Sequence, residues 1–223
     1  MKKLLITLLL TVAIIIVPTQ RSHAIVWVVV KAAIKKVIIA IDLGIQRQQN
    51  KVIWLQNAQK TLENYMSKLK LDEISDWSEK QKAQYQKYFD ELRQVKLLIS
   101  YYQRIKDITQ KETRIINEYK HAWNLIKNDS HFTAKELDYM EKVYNGILNE
   151  TVKNIDQLAM VINSMQTQMA DEKRLEIIDK TSDKVDENYM DLLLFNRQNA
   201  MLSLQRASDE ADIARVKFIY GLQ

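Results

Sequence analysis

The chain has 223 residues, no cysteine and a formal net charge of +5. Without cysteine it can form no disulfide, and a zinc site lacks one of its usual ligands. Three glycines and a single proline leave few helix breakers and few glycine-dependent hairpin turns, which predicts an all-α protein. The sequence contains no long basic tract, so we expect no direct contact with nucleic acid.

Residues 1–24 have the pattern of a signal peptide. Two lysines precede an apolar run from Leu4 to Val17, and Ser22 and Ala24 occupy the −3 and −1 positions of a cleavage site. The run is shorter than the roughly 20 apolar residues that a spanning helix needs. We therefore expect export, cleavage after Ala24, and a periplasmic or cell-surface location, with an uncleaved anchor as the alternative. Removal of this segment, which holds three basic residues and no acid, would lower the net charge to 5 − 3 = +2.

The segment Ile25–Ile45 is also rich in apolar residues, with 13 large ones, but it contains three lysines. A central lysine costs about 2.5–3.5 kcal/mol on membrane insertion, whereas a large aliphatic residue returns only about 0.3–0.6 kcal/mol, so spanning is unfavourable. A helix here would carry one cationic strip and one apolar face. The cationic strip consists of Lys31, Lys35 and Lys36. The apolar face, our predicted partner-docking site, consists of Val26, Trp27, Val30, Ile34, Val37, Ile38, Ile41 and Ile45. This face could dock into a partner, lie on a membrane surface, or pack within its own bundle.

Apolar heptads and capping signals predict four long helices, at about 26–70, 78–127, 133–168 and 171–220. The first has a seam at Ile34, Ile38, Ile41, Ile45, Gln48, Val52, Leu55, Gln59, Leu62, Met66 and Leu69. Thr133 and Glu136 form a capping box at the start of the third helix, and Gly221 is a plausible stop for the last. We expect residues 25–223 to form one domain, an elongated bundle of long antiparallel helices with coiled-coil-like packing.

The sequence shows no pattern typical of catalysis. His121 and His131 lack the spacing of a metal site, no G-x-S-x-G motif is present, and the three isolated glycines cannot build a phosphate-binding loop. We therefore expect no enzyme, no cofactor and no metal site. Two aromatic residues, Phe89 and Tyr101, lie off the predicted seam and would be exposed unless another helix covers them.

Several stretches carry a family resemblance across nearly the whole chain after residue 24. They are AIVWVVVKAAIKKVIIAIDLGIQRQQNKVIWLQNAQKTLEN, KLDEISDWSEKQKAQYQKYFDELRQVK, ISYYQRIKDI, HFTAKELDYMEKVYNGIL, RLEIID and LSLQRA. The chain resembles the TraI-type conjugal transfer proteins of conjugative transposons, which are distinct from the relaxase of that name. The resemblance implies an exported component of a type IV secretion apparatus, similar to minor pilus-tip subunits, whose partners are other secretion or pilus subunits.

Two other functions stay open at this point. The chain could be a secreted helical protein that acts on membranes, or a generic coiled-coil adaptor of the cell envelope. Self-association into a homo-oligomer is compatible with each of these functions.

Overall fold

The computed structural model describes residues 23–66, 74–165 and 169–222. These residues form five helices and no strand, so the prediction of an all-α fold is confirmed. The helices are α1 (His23–Met66), α2 (Ile74–Ile126), α3 (Ala134–Ser164), α4 (Asp171–Arg206) and α5 (Glu210–Tyr220). Of the predicted leader, residues 1–22 lie outside the described part of the chain, and Ala24 falls in the first turn of α1.

The first four helices form a bundle in the order α1–α2–α4–α3 around its axis, with a weaker contact across the middle between α2 and α3. Contacts between α1 and α2 pair rising with falling residue numbers, from Asp42–Lys106 to Lys51–Glu91, so these helices are antiparallel. On the other side of α2, Lys111 bonds to Asp186 in α4. Two helical turns earlier in both helices, Arg104 bonds to Asp179. Residue numbers rise together there, so α2 and α4 are parallel.

The core is apolar along the predicted seams. Ile34 and Ile41 of α1 are buried, as are Ile105, Ile108 and Ile115 of α2. The seam of α2 shifts near Ile105 because there the helix passes from packing on α1 alone to packing on α3 and α4 as well. This change of neighbours explains why the two off-seam aromatic residues differ in exposure. Tyr101 is buried, whereas Phe89 is 57% exposed.

The helix ends follow local capping chemistry. At the start of α3, the backbone N–H of Glu136 donates to the Thr133 hydroxyl, and the Glu136 carboxylate accepts from the Thr133 N–H, which confirms the predicted capping box. Gly221 ends α5 with φ +65°, also as predicted. The start predicted for the second helix, near residue 78, is corrected to Ile74 by the structure.

The last predicted helix, 171–220, is in fact two helices. The Asp209 carboxylate accepts the N–H of Asp212 at 2.8 Å and starts α5, while the Asp212 carboxylate accepts the N–H of Ser208 at 3.2 Å. These bonds stabilise a break in the helix after Arg206, and α5 then folds back onto the end of the bundle.

Helices α1 and α2 continue past the α3–α4 connection as a two-helix extension. We call residues 48–66 and 74–100 the arm. The connection lies at the level of Tyr101 and Tyr102, because the charge of Arg174, in the first turn of α4, acts on both hydroxyl groups. Arg174 itself donates to the carbonyl of Ser164 and so ties the end of α3 to the start of α4.

Gly44 permits the close packing of α1 on α2 at the base of the arm. A Cβ at this position would lie 2.3 Å from Cζ of Tyr102, a residue that is only 4% exposed. The glycine therefore costs helix propensity in α1 but makes room for a buried ring.

We predict opposite effects for Gly44→Ala and Gly146→Ala. Each gains about 1 kcal/mol of helix propensity, but overpacking of a buried ring costs about 1–3 kcal/mol. A Cβ at Gly146 meets nothing within 4 Å. Urea unfolding should show that Gly146→Ala stabilises the protein and that Gly44→Ala destabilises it. Stabilisation by both substitutions would contradict the close contact with Tyr102.

Candidate partner-docking surface of helix α1

The structure places most of the predicted docking residues inside the bundle. Val30, Ile34, Val37 and Ile41 are at most 5% exposed, and Ile38 and Ile45 are half-buried against the same core. Their burial favours the alternative in which this face packs within its own bundle, and it leaves the four fully buried side chains inaccessible to a partner in this conformation. The side chains of Val26 and Trp27 lie outside the described part of the structure, so docking through them stays a prediction.

Helix α1 also has a second apolar face, which points to solvent. Val28, Val29, Ile39 and Leu43 are each about half exposed, at 48–55%. With the exposed Ala32 they recur at spacings of three, four and seven residues, on the side of the helix opposite Ile34. We call these five residues the outer face. It is the largest concentration of exposed apolar side chains on α1 before the arm.

The three predicted lysines of the cationic strip are all exposed. Burial, and then the charge of Lys31, lower the pKa of Lys120, which places Lys31 on the side of α1 toward α2. Lys35 and Lys36 instead flank the outer face. Because residues 23–41 contain these three lysines and no acid, the outer face is apolar and cationic.

A second exposed apolar region lies on the arm, where α1 and α2 form a groove of about 280 Å³. Trp54, Leu55 and Ala58 form one wall, and Tyr85 and Tyr88 form part of the other. Trp54 is 64% exposed even though it borders this groove. No local sequence pattern indicates that these two helices would leave a groove between them.

The outer face and the groove on the arm are both lined mainly by apolar side chains. Within residues 23–66, 74–165 and 169–222, no cluster of three or more His, Asp or Glu side chains could hold a metal ion. No helix in those ranges is long and apolar enough to cross a bilayer. Both surfaces are suited to contacts with another macromolecule.

The only Ser–His–Asp constellation that we find in the described residues is buried and linked internally. His131 lies between two carboxylates, with Nδ1 2.6 Å from Asp129 and Nε2 2.9 Å from Asp212. Ser203 is fully buried and its hydroxyl donates to Asp129 at 2.6 Å, while Tyr220 donates to the same oxygen at 2.7 Å. A buried serine that donates to a carboxylate is not presented to a substrate, so this network, which we call the latch, holds α5 against the α2–α3 loop.

The latch favours a charged imidazole. Hydrogen bonds to Asp212 and Asp129 raise the pKa of His131 above its usual value. Hydrogen bonds from His131 and Arg215 in turn lower the pKa of Asp212 to about 2. Asp212 belongs to α5, so the charge on His131 contributes directly to the docking of that helix.

A buried carboxylate lies in the middle of the bundle. Glu112 is 0% exposed; Asn154 donates to its Oε1 at 3.0 Å, and its Oε2 has no hydrogen-bond partner among the described residues. Burial raises the pKa of Glu112 to about 7, although the Thr151 and Asn154 side chains favour the charged form. No motif in the sequence indicates this residue, which occupies a seam position between Ile108 and Ile115.

Comparisons with known proteins identify no relative of this chain. No family model, no curated protein and no solved structure matches it.

We predict that the latch loosens as pH rises. The pKa of His131 is higher in the folded protein than in the unfolded chain, where it is about 6.5. The contribution of His131 to the free energy of unfolding is therefore complete below about pH 6.5 and is lost as pH increases through the folded-state pKa. The melting temperature of the wild type should therefore fall over this range relative to that of His131→Gln, and hydrogen exchange in α5 should rise. A difference between the two proteins that does not change with pH would contradict the charged latch.

We predict that Glu112→Gln stabilises the protein at alkaline pH. The wild type holds its full stability below about pH 4.5 and loses it up to about pH 7, where the ionised form is buried. At 1.36 kcal/mol per pKa unit, the advantage of the variant should grow by about 3 kcal/mol between these limits. Urea unfolding at acid and alkaline pH measures this change, and an advantage that stays constant would show that Glu112 is not buried as described.

Proposed function

We propose that the protein is an exported structural subunit of a type IV secretion apparatus for conjugative transfer, associated with the pilus or the channel. The sequence stretches that resemble TraI-type conjugal transfer proteins support the assignment. A helical scaffold with exposed apolar surfaces and without a described catalytic centre is compatible with a role based on protein–protein contacts. The proposed location is the periplasm or the cell surface.

The observation that carries the proposal is the outer face of α1. The inner side of this helix packs in the core. The exposed side chains of the outer face therefore add little to the packing of the monomer; they are Val28, Val29, Ile39 and Leu43. Scattered exposed apolar residues are common, but four on one face of one helix indicate a site of interaction.

The charge of the outer face indicates what kind of partner it fits. Lys35 and Lys36 flank the apolar side chains, and the first acidic residue of α1 is Asp42, which already bonds to Lys106 at 3.0 Å. A complementary partner therefore presents apolar side chains edged by carboxylates. We propose that this partner is another subunit of the secretion apparatus.

An anionic lipid surface has related chemistry and is the competing candidate. A helix that lies in a membrane interface needs a wide apolar face, whereas the inner side of α1 is buried in the bundle. The exposed stripe that remains is about two side chains wide, which fits a groove on a protein better than a bilayer. Lysines 35 and 36 would still permit weak, salt-dependent contact with anionic lipid.

We predict that Leu43→Asp reduces conjugative transfer while the protein stays folded. Leu43 is 48% exposed, so the new charge disturbs a contact and not the core. A loss of 1.4 kcal/mol in docking weakens binding tenfold, and we expect at least about that loss in pull-down affinity for envelope subunits. Leu194→Asp is the matched control, because Leu194 on α4 is 56% exposed and lies away from α1.

Three results separate the alternatives. Equal transfer by Leu43→Asp and Leu194→Asp would refute docking through the outer face. Binding of the purified wild type to anionic vesicles that is lost in Leu43→Asp would assign the face to lipid. Normal transfer after deletion of the gene would remove the protein from the secretion apparatus.

A further inference from the structure

The groove on the arm lies on the surface that α3 and α4 cover elsewhere. Arg47, Lys51, Trp54 and Ala58 follow one another at spacings of four, three and four residues, so they share one face of α1. At the base of the arm, the charges of Arg47 and of Arg174 in α4 both act on Tyr102. Val37 and Gly44 precede Lys51 and Ala58 at seven-residue spacings along the same side of α1, and both are buried in the bundle. The side of α1 that is covered within the bundle is therefore the side that opens into the groove on the arm.

The arm is incompletely covered by comparison with the rest of the bundle. In its described part, Leu55 and Val95 are the buried apolar side chains, whereas Ile53, Trp54, Phe89 and Leu97 are 38–64% exposed. A pair of helices without a further layer buries little apolar surface. Two more helices laid on the groove would continue the four-helix cross-section of the bundle along the arm.

We propose that the arm of a second copy of this chain fills the groove, so that two arms in antiparallel orientation form a four-helix bundle between two monomers. Each copy would offer the same groove to the other about a two-fold axis near Trp54. This dimer does not depend on the proposed role in secretion, since it follows from the arm alone.

The charges that line the groove are self-complementary. Lys87 and Glu91 both border it and lie one turn apart on α2. When a second arm is reversed and laid against the first, Lys87 of each copy comes opposite Glu91 of the other. Lys51, which faces Glu91 within the monomer at 4.0 Å, makes only a long and exposed pair, so it competes weakly for the carboxylate.

The size of the contact is sufficient for a specific dimer. The described α1 part of the arm is 19 residues long, which gives a length of about 28 Å at 1.5 Å per residue. Two helices side by side are about 20 Å wide, so each copy covers roughly 560 Å², or about 1,100 Å² in total, close to the lower limit for stable interfaces. Burial of the Trp54 indoles at the centre supplies the kind of aromatic anchor on which such interfaces depend.

Light scattering and sedimentation of the purified protein test the proposal. We expect the wild type to have twice the monomer mass and Trp54→Glu to be a folded monomer by circular dichroism. Phe89→Glu is the matched control, because Phe89 is a similarly exposed aromatic residue of the arm that does not line the groove, and it should stay dimeric. A monomeric wild type at high micromolar concentration, or equal loss of dimer in both variants, would overturn the proposal.

Charge exchange and crosslinking test the antiparallel orientation. Lys87→Glu should weaken the dimer at least tenfold by placing like charges opposite each other, and the double variant Lys87→Glu with Glu91→Lys should restore it. Because the chain has no cysteine, Tyr88→Cys, which lines the groove close to the two-fold axis, should give a disulfide-linked dimer on oxidation. Phe89→Cys, one residue further round the helix, should not. Failure of the charge exchange together with equal crosslinking at both positions would exclude this orientation, and none of these outcomes depends on transfer activity.

Discussion

The burial of the inner face of α1 beneath α2 and α3 is the contact on which the rest of the structure depends. Val30, Ile34, Val37 and Ile41 are almost completely removed from solvent, and each buried side chain of this size contributes about 1.5–3 kcal/mol. Their sum is comparable with the entire net stability of an ordinary domain, about 5–15 kcal/mol. In a chain without disulfides, and with only exposed ion pairs between α1 and α2, this apolar burial is the main interaction that holds the first helix. Because only one side of α1 is buried in the core, the apolar residues on its opposite side are exposed.

Polar side chains inside the core select one arrangement among those that apolar heptads permit. An apolar seam can slip by seven residues with little change in contacts, but Glu112 meets Asn154, Asn188 meets Thr151, and Tyr144 donates to Asn196 at 2.7 Å only in this register. The ionised form of Glu112 lowers the stability of the fold, because the carboxylate is buried and one of its oxygens has no partner among the described residues. On the predicted seam of α1, by contrast, the polar Gln59 bonds to the neighbouring Glu63 at the surface.

The sequence predicted the helices well because their signals are local. Scarcity of proline and glycine, the heptads, the Thr133 capping box and the Gly221 stop all act within a few residues. The sequence could not decide whether the apolar face of α1 that includes Ile34 packs within the bundle or against a partner, since only contacts with distant helices distinguish these outcomes. The sequence did not predict the break before Asp209, because good helix formers surround it. The break is stabilised in part by the bond between Asp212 and His131, which are 81 residues apart in the chain. The groove on the arm was also beyond sequence analysis, because it depends on where α3 and α4 end.

The two ends of the molecule differ in how completely they are closed, and this difference indicates how it would assemble. At the α5 end, polar contacts centred on Asp129 and His131 satisfy the termini of the helices and hold α5 in place. At the arm end, the second layer of helices stops and leaves an aromatic groove. Leu43 and Trp54 are eleven residues apart, or about 16 Å along α1, so pairing through the arm leaves the outer face accessible. A dimer formed in this way presents two copies of the outer face on one rigid body, and two linked weak contacts bind a repeating partner far more tightly than either does alone.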